Sequence, residues 1–140
     1  VLSLGVASAS TSEVTLRQCL VTGNNADYGG GVAAYNYGNV ILTETDVYDN
    51  TADVSGGGLL VQRGSVTCTD GGVYANTSVV EGGGAHFSYS VGTLTVSNCD
   101  WTGNSPDDAA GAYGTFTTKA DSDYGASASF TCDGYAGCSP

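Results

Sequence analysis

A segment of eleven residues recurs four times in this chain, and this repeat most restricts the possible fold. Each copy begins at an aliphatic residue and ends at an asparagine, and the asparagines follow one another at intervals of 26, 26 and 28 residues. The copies are residues 14–24, 40–50, 66–76 and 94–104. A period of this length is typical of stacked structural repeats, because a single repeat cannot bury its own apolar face.

Within each copy the apolar residues alternate with period two, which is the spacing of β-strands rather than of helices. Three inward columns follow: Val14, Val40, Val66 and Leu94; Leu16, Leu42, Cys68 and Val96; and Val21, Val47, Val73 and Trp101. The sequence therefore predicts an all-β protein, a right-handed, single-stranded parallel β-helix (solenoid) of about four to five coils. Two or three short strands are expected in each coil.

The repeat places residues 1–140 in a single β-helix domain. Residues 1–13 are expected to be a partial first coil, and complete coils are expected at 14–39, 40–65, 66–93 and 94–126. Residues 127–140 are predicted to form a C-terminal cap or tail, since terminal repeats are usually atypical.

The recurrent asparagines are predicted to stack, because equivalent residues of adjacent coils lie about 4.8 Å apart. Each side-chain amide could then bond its neighbours and the turn backbone, which offsets the cost of burying a polar group. A structural ladder therefore explains these asparagines better than a catalytic or ligand-binding role does. They are Asn24, Asn50, Asn76 and Asn104.

A glycine cluster follows each asparagine, at residues 29–31, 56–58, 82–84 and, in weakened form, 110–112. Gly31, Gly58 and Gly84 are interpreted as turn glycines that need positive φ and tight corners. No lysine or helix start follows them, and a phosphate-binding loop is therefore excluded.

Fourteen acidic residues against three basic ones give a net charge of −11. This charge repels phosphate backbones, so nucleic acid is excluded as a partner.

No apolar run approaches the roughly 20 residues of a membrane-spanning helix, and no membrane insertion is expected. The chain begins at Val1 without a leader, which suits a processed product or a piece of a longer protein. Both favour a secreted or cell-surface location.

Five cysteines leave at least one unpaired within the chain. Cys68 points inward and is expected to behave as a buried apolar residue. Cys19 and Cys99 share a column, but three coils separate them by about 14 Å, which is beyond disulfide reach. Cys132 and Cys138 are the candidate disulfide, although Cys132 could instead stack beside Cys99. The leftover cysteine, Cys19 or Cys138, could join subunits or remain a free thiol.

The asparagine and glycine motifs together resemble the repeats of polymorphic outer membrane proteins and related autotransporter passengers. The resembling pairs are Val21 to Asn24 with Gly30-Gly31, Val47 to Asn50 with Gly57-Gly58, and Val73 to Asn76 with Gly83-Gly84, followed by a weakened fourth copy at residues 101–112. The resemblance implies a parallel β-helix at a cell surface, associated with adhesion or surface display. It implies no catalytic residue, and valine stands where that family usually has phenylalanine.

A polysaccharide-processing enzyme is the alternative function. Asp46 and Asp100 share one column about 10 Å apart, a distance at which an inverting carboxylate pair could act, with Asp49 close by in sequence. The few basic residues, Arg17, Arg63 and Lys119, are scattered along the repeat and disfavour a lyase. Four coils without long loops also offer little of a cleft.

Asp27, Asp53 and Asp107 fall near one column and could hold Ca²⁺, although a hydrated turn explains them more simply. Outward tyrosines suit sugar stacking or protein contacts, as well as ordinary β-surface positions. They are Tyr48 and Tyr74 in one column, with Tyr28, Tyr35, Tyr37 and Tyr89 elsewhere.

The sequence thus predicts a non-enzymatic extracellular structural module without a required cofactor. It would be a surface adhesin or stalk, or the subunit of a head-to-tail filament. Expected partners are a second copy of the chain or upstream coils of a longer chain, and glycans or surface proteins are further candidates.

Overall fold

The computed structural model describes residues 2–4, 12–88, 92–111, 114–118 and 130–131, which form a parallel β-helix. Its strands in chain order are β1 (Leu2–Leu4), β2 (Glu13–Arg17), β3 (Leu20–Thr22), β4 (Asn25–Tyr28), β5 (Val32–Tyr35), β6 (Asn39–Thr43), β7 (Asp46–Tyr48), β8 (Thr51–Ser55), β9 (Leu59–Gln62), β10 (Ser65–Thr69), β11 (Gly72–Tyr74), β12 (Thr77–Ser78), β13 (Ala85–Phe87), β14 (Gly92–Ser97), β15 (Ala109–Gly111), β16 (Gly114–Thr118) and β17 (Phe130–Thr131).

These strands form four parallel sheets, one for each side of the coil. The first sheet has the order β16-β14-β10-β6-β2, the second β11-β7-β3, the third β12-β8-β4 and the fourth β1-β5-β9-β13-β15-β17. The first three complete coils therefore contain four strands each, and the prediction of two or three was wrong. The additional strand is β4, β8 or β12, in a segment that sequence reasoning took for a polar turn.

The register confirms the period along most of the chain. Val14 pairs with Val40, Val40 with Val66 and Val66 with Leu94, while β1 pairs with β5 as expected of a partial first coil. Leu94, however, pairs with Phe116, which is only 22 residues further on. The expected coil boundary at residue 126 was therefore wrong.

The fourth coil is shorter because the path after its ladder asparagine is shorter. Five positions lead from Asn104 to Ala109 in β15, against nine from Asn76 to Ala85 in β13. Within the predicted tail at 127–140, Phe130 and Thr131 continue the fourth sheet beside β15.

The inward columns form one continuous apolar core. Val40, Leu42 and Val47 of the second complete coil are fully buried, whereas Leu16 and Val21 of the first are only partly buried against the core. Trp101 fills the core of the fourth coil, and its indole Nε1 donates to the backbone oxygen of Asp108 at 3.1 Å.

The outer face of the fourth sheet is recessed. One outward position in each of β5, β9, β13 and β15 is almost completely buried: Ala33 4%, Leu60 6%, His86 8% and Ala110 1% exposed. The middle of this face is therefore shielded from solvent.

Candidate functional site

The predicted asparagine ladder is present and runs through all four copies. Oδ1 of Asn50 accepts the Asn24 side-chain amide at 2.9 Å, and Oδ1 of Asn76 accepts the Asn50 amide at 3.0 Å. Oδ1 of Asn104 accepts from Asn76 at 3.1 Å. Each of these oxygens also accepts the backbone N–H of the preceding asparagine, at 3.0 to 3.1 Å.

The same amides also bond the backbone of the preceding coil. Nδ2 of Asn76 donates to the Val47 oxygen at 2.8 Å, and Nδ2 of Asn50 donates in the same way to the Val21 oxygen at 2.8 Å. Asn50 and Asn76 are 1% and 0% exposed, so these bonds satisfy buried polar groups. The ladder is thus a structural device.

The fourth asparagine of the ladder bonds a carboxylate whose role sequence reasoning missed. Nδ2 of Asn104 donates to Asp108 Oδ1 at 2.9 Å and to the Val73 backbone oxygen at 2.9 Å. Asp108 is 3% exposed. The backbone oxygens of Asp107 and Asp108 accept from Gly84 and Ala85, so these two aspartates occupy the places of cluster glycines. The replacement of glycine by aspartate in the fourth copy is the sequence signal for this role.

This placement corrects the expected fourth glycine cluster. The oxygens of Asp107 and Asp108 stand where Gly83 and Gly84 stand in the preceding coil, while residues 109–111 form β15. The weakened glycine motif at 110–112 was therefore wrong for the two of its residues that the structure describes, 110 and 111.

The turn glycines are needed mainly for space. Gly29, Gly56 and Gly82, the first of each cluster, have positive φ, but Gly31, Gly58 and Gly84 do not, so positive φ was the wrong reason for these three. A Cβ on Gly58 would lie 2.8 Å from Asn76 Nδ2 and 2.7 Å from the Gly84 oxygen. The third glycine of the cluster therefore makes room for the ladder.

One disulfide lies inside the solenoid and joins Cys68 to Cys99. Cys68 is buried as predicted, but the expectation that it acts only as an apolar residue was wrong. The 31-residue separation is three more than the local period of 28, so the bond runs diagonally between adjacent coils. Cys19 is the free cysteine of the described residues, and the candidate pair Cys132 and Cys138 lies outside them.

The column of Asp46 and Asp100 exists, with Gly72 between them in register with both. The space above Gly72 is occupied by the ring of Tyr74, since a Cβ on this glycine would lie 2.8 Å from Tyr74 Cδ1. Tyr74 in turn stacks on Tyr48, with ring centroids 5.1 Å apart and planes inclined by 9°.

The surroundings of Tyr74 are acidic. Burial raises the pKa of the Tyr74 hydroxyl, and the charge of Asp46, its neighbour Tyr48, and the charges of Asp100 and Asp49 raise it further. The hydroxyl therefore stays protonated at neutral pH.

The three calcium candidates do not share one column. Asp27 and Asp53 lie at matching places of β4 and β8, where a bulge interrupts the register, but Asp107 lies in the corner beside the glycines of the preceding coil. Within the described ranges, no three histidine, cysteine, aspartate or glutamate side chains are grouped closely enough to hold a metal ion.

His86 and Glu81 form a further polar pair that sequence reasoning did not single out. His86 Nδ1 lies 3.4 Å from Glu81 Oε1, and burial lowers the pKa of the imidazole while the Glu81 charge partly opposes this shift. His86 occupies an outward position on the recessed fourth sheet, directly beside Leu60 of the preceding coil.

A stacked parallel solenoid with an internal polar ladder belongs to the class of β-helix repeat proteins. Residues 3–131 match the family described as right-handed β-helix region, and the chain belongs to this family. No curated protein and no solved structure matches the chain. Membership is consistent with a structural or surface module, while the fold also occurs in enzymes. The described residues contain no helix long and apolar enough to cross a membrane.

Proposed function

We propose that this chain is a non-enzymatic extracellular structural module whose first coil accepts further coils. Those coils would come from upstream residues of a longer surface adhesin or stalk, or from another copy of the chain in a head-to-tail filament. The adhesin form of the proposal is the one that the resemblance to autotransporter passengers supports.

The incomplete burial of the first complete coil, residues 14–39, carries this proposal. Leu16 and Val21 are only partly buried, whereas Leu42 and Val47, which pair with them in the next coil, are fully buried. Among the described strands, β2 and β3 are also edge strands of the first and second sheets. An unpaired edge beside apolar columns is a template on which another coil can add.

Two observations support the extracellular and non-enzymatic parts of the proposal. Disulfides persist mainly in oxidising compartments, and Cys68 and Cys99 form one within the core. The ring of Tyr74 fills the space above Gly72, between Asp46 and Asp100, where an inverting pair would need water and substrate.

Association of the 140-residue chain tests the proposal. Sedimentation velocity and electron microscopy should detect end-to-end oligomers that grow with concentration. Leu16→Glu should abolish them, because a carboxylate would enter the exposed end of the core. Thr15→Glu is the matched control, since Thr15 points outward from the same strand and should leave association unchanged.

Two results would contradict the proposal. A wild-type chain that remains monomeric at every concentration would count against the filament form. Turnover of a polysaccharide that Asp46→Asn and Asp100→Asn both abolish would count against the structural role altogether.

A further inference from the structure

We infer that the recessed outer face of the fourth sheet binds a neutral hexopyranose unit of a glycan, held between Tyr28 and Tyr35 with Gln62 as the hydrogen-bond acceptor. This inference goes beyond the structural role and does not depend on it, because coils can stack whether or not this face holds a ligand.

The face contains two adjoining cavities. One has a volume of about 320 Å³ and is lined by Tyr28, Tyr35, Leu60, Gln62 and Ser88. The other has a volume of about 260 Å³ and is lined by Tyr35, Asn36, Gln62 and Arg63. Tyr35 and Gln62 are common to both and are direct partners in the register of β5 and β9. Together the cavities make one groove with these two residues at its centre.

The tyrosines of the groove are available to a ligand. Tyr28 and Tyr35 are 52% and 40% exposed, and they flank β5, Tyr28 as the last residue of β4 and Tyr35 as the last residue of β5. Tyr48 and Tyr74, by contrast, are stacked on each other and have a ring face already covered. An exposed tyrosine ring is apolar on its face and polar at its tip, which suits the C–H face and hydroxyls of a pyranose.

Gln62 supplies a buried acceptor without a donor. Its Oε1 has almost no contact with solvent and accepts no hydrogen bond from the part of the chain that the structure describes. Because this oxygen is closed to a water-sized group, the Gln62 amide must turn toward the cavities before a bound hydroxyl can donate to it, and that bond would remove its desolvation cost. This unpaired oxygen distinguishes the groove from an ordinary tyrosine-bearing surface.

Size and charge restrict the ligand. The cavities lie near the lower end of the range for small-molecule sites, which corresponds to one or two sugar rings rather than a long polymer. The net charge of −11 disfavours anionic glycans, so the Arg63 guanidinium is assigned a hydrogen-bonding role toward sugar hydroxyls.

Saturation-transfer NMR and chemical-shift titration with lactose, cellobiose and maltose test this inference. At least one of these neutral disaccharides should bind the wild-type chain, and Tyr35→Ala or Gln62→Leu should weaken its binding at least about tenfold. Tyr37→Ala is the matched control, because Tyr37 is 59% exposed but lines neither cavity. Its affinity should equal that of the wild type.

Chemical unfolding separates a binding defect from a folding defect. Gln62→Leu should unfold at the same denaturant concentration as the wild type or a higher one, because it removes a buried unpaired oxygen. The inference would be overturned if no neutral disaccharide bound, if Tyr37→Ala weakened binding as much as Tyr35→Ala, or if only a galacturonate disaccharide bound.

Discussion

Asn50 and Asn76 are joined through a single oxygen, because Oδ1 of Asn76 accepts both the backbone N–H of Asn50 at 3.1 Å and its side-chain amide at 3.0 Å. Both residues are almost fully excluded from solvent. The side chain of one coil therefore satisfies the turn of the preceding coil, and the coils are coupled at the inner corner of the solenoid.

Asn76→Ala should be strongly destabilising. It removes the acceptor of two Asn50 donors and leaves the Val47 backbone oxygen without its 2.8 Å partner. Each buried group left unpaired costs about 1–3 kcal/mol, and we expect a total loss of about 4 kcal/mol in urea unfolding. Asn25→Ala, on an exposed strand position one residue after the ladder, should change stability by less than about 0.5 kcal/mol. Equal losses in the two variants would contradict the ladder's energetic role.

Gly58→Ala should be destabilising because of crowding. Its Cβ would lie 2.8 Å from Asn76 Nδ2 and 2.7 Å from the Gly84 oxygen, and overpacking of this kind costs about 1–3 kcal/mol. Gly23→Ala meets no atom within 4 Å and should cost only about 1 kcal/mol for its φ of +67°.

A double-mutant cycle identifies the atom that is crowded. Gly58→Ala combined with Asn76→Ala should destabilise less than the sum of the single variants, because the shortened side chain makes room for the new methyl. If the loss in unfolding free energy of the double variant equalled the sum of the two single losses, the Asn76 amide would not be the group that crowds the methyl introduced by Gly58→Ala.

Loss of the disulfide should lower stability through the unfolded chain. Cys99→Ser removes a cross-link between residues 31 apart, which should lower the free energy of unfolding by about 4 kcal/mol. In dithiothreitol, the midpoint temperature of thermal unfolding of the wild type should fall toward that of Cys99→Ser. Cys19→Ser, which removes the free cysteine, should have the same midpoint as the wild type and the same drop in reductant. An unchanged unfolding midpoint of the wild type in dithiothreitol would contradict a stabilising role of the disulfide.

Stability should fall as the pH drops below the ordinary pKa of histidine, about 6.5. Burial lowers the pKa of His86 in the folded state, so the unfolded chain takes up a proton first and is favoured below that pH. His86→Leu should remove this part of the pH dependence, because leucine already occupies the paired position at Leu60.

Replacing Glu81 should change the acid destabilisation in the opposite direction from replacing His86. Its charge raises the pKa of His86, so Glu81→Gln should lower that pKa further and deepen the loss of stability in acid. Urea midpoints at about pH 7.5 and about pH 5 compare the variants across the histidine transition. An identical acid response in His86→Leu and the wild type would rule out His86 as its source.

Much of the site could be predicted because it depends on the period. Asn24, Asn50 and Asn76 are equally spaced, and parallel strands in register must place equally spaced residues over one another. The stacking of Tyr48 on Tyr74 follows in the same way. The reason for Gly58 could not be read from the period, since its φ is ordinary and the atom that excludes a side chain belongs to the next coil.

The sequence by itself determined the repeat, the inward and outward faces of the strands and the identity of the ladder residues, because each depends only on spacing along the chain. Only the tertiary structure decided that Cys68 bonds Cys99, that Asp108 accepts from the last ladder asparagine and that Tyr35 and Gln62 share a groove. The first contact runs diagonally between coils, the second crosses a shortened turn, and the third pairs residues 27 apart because a bulge shifts the register by one. All three depend on the path of the backbone in space, which a one-dimensional period does not contain.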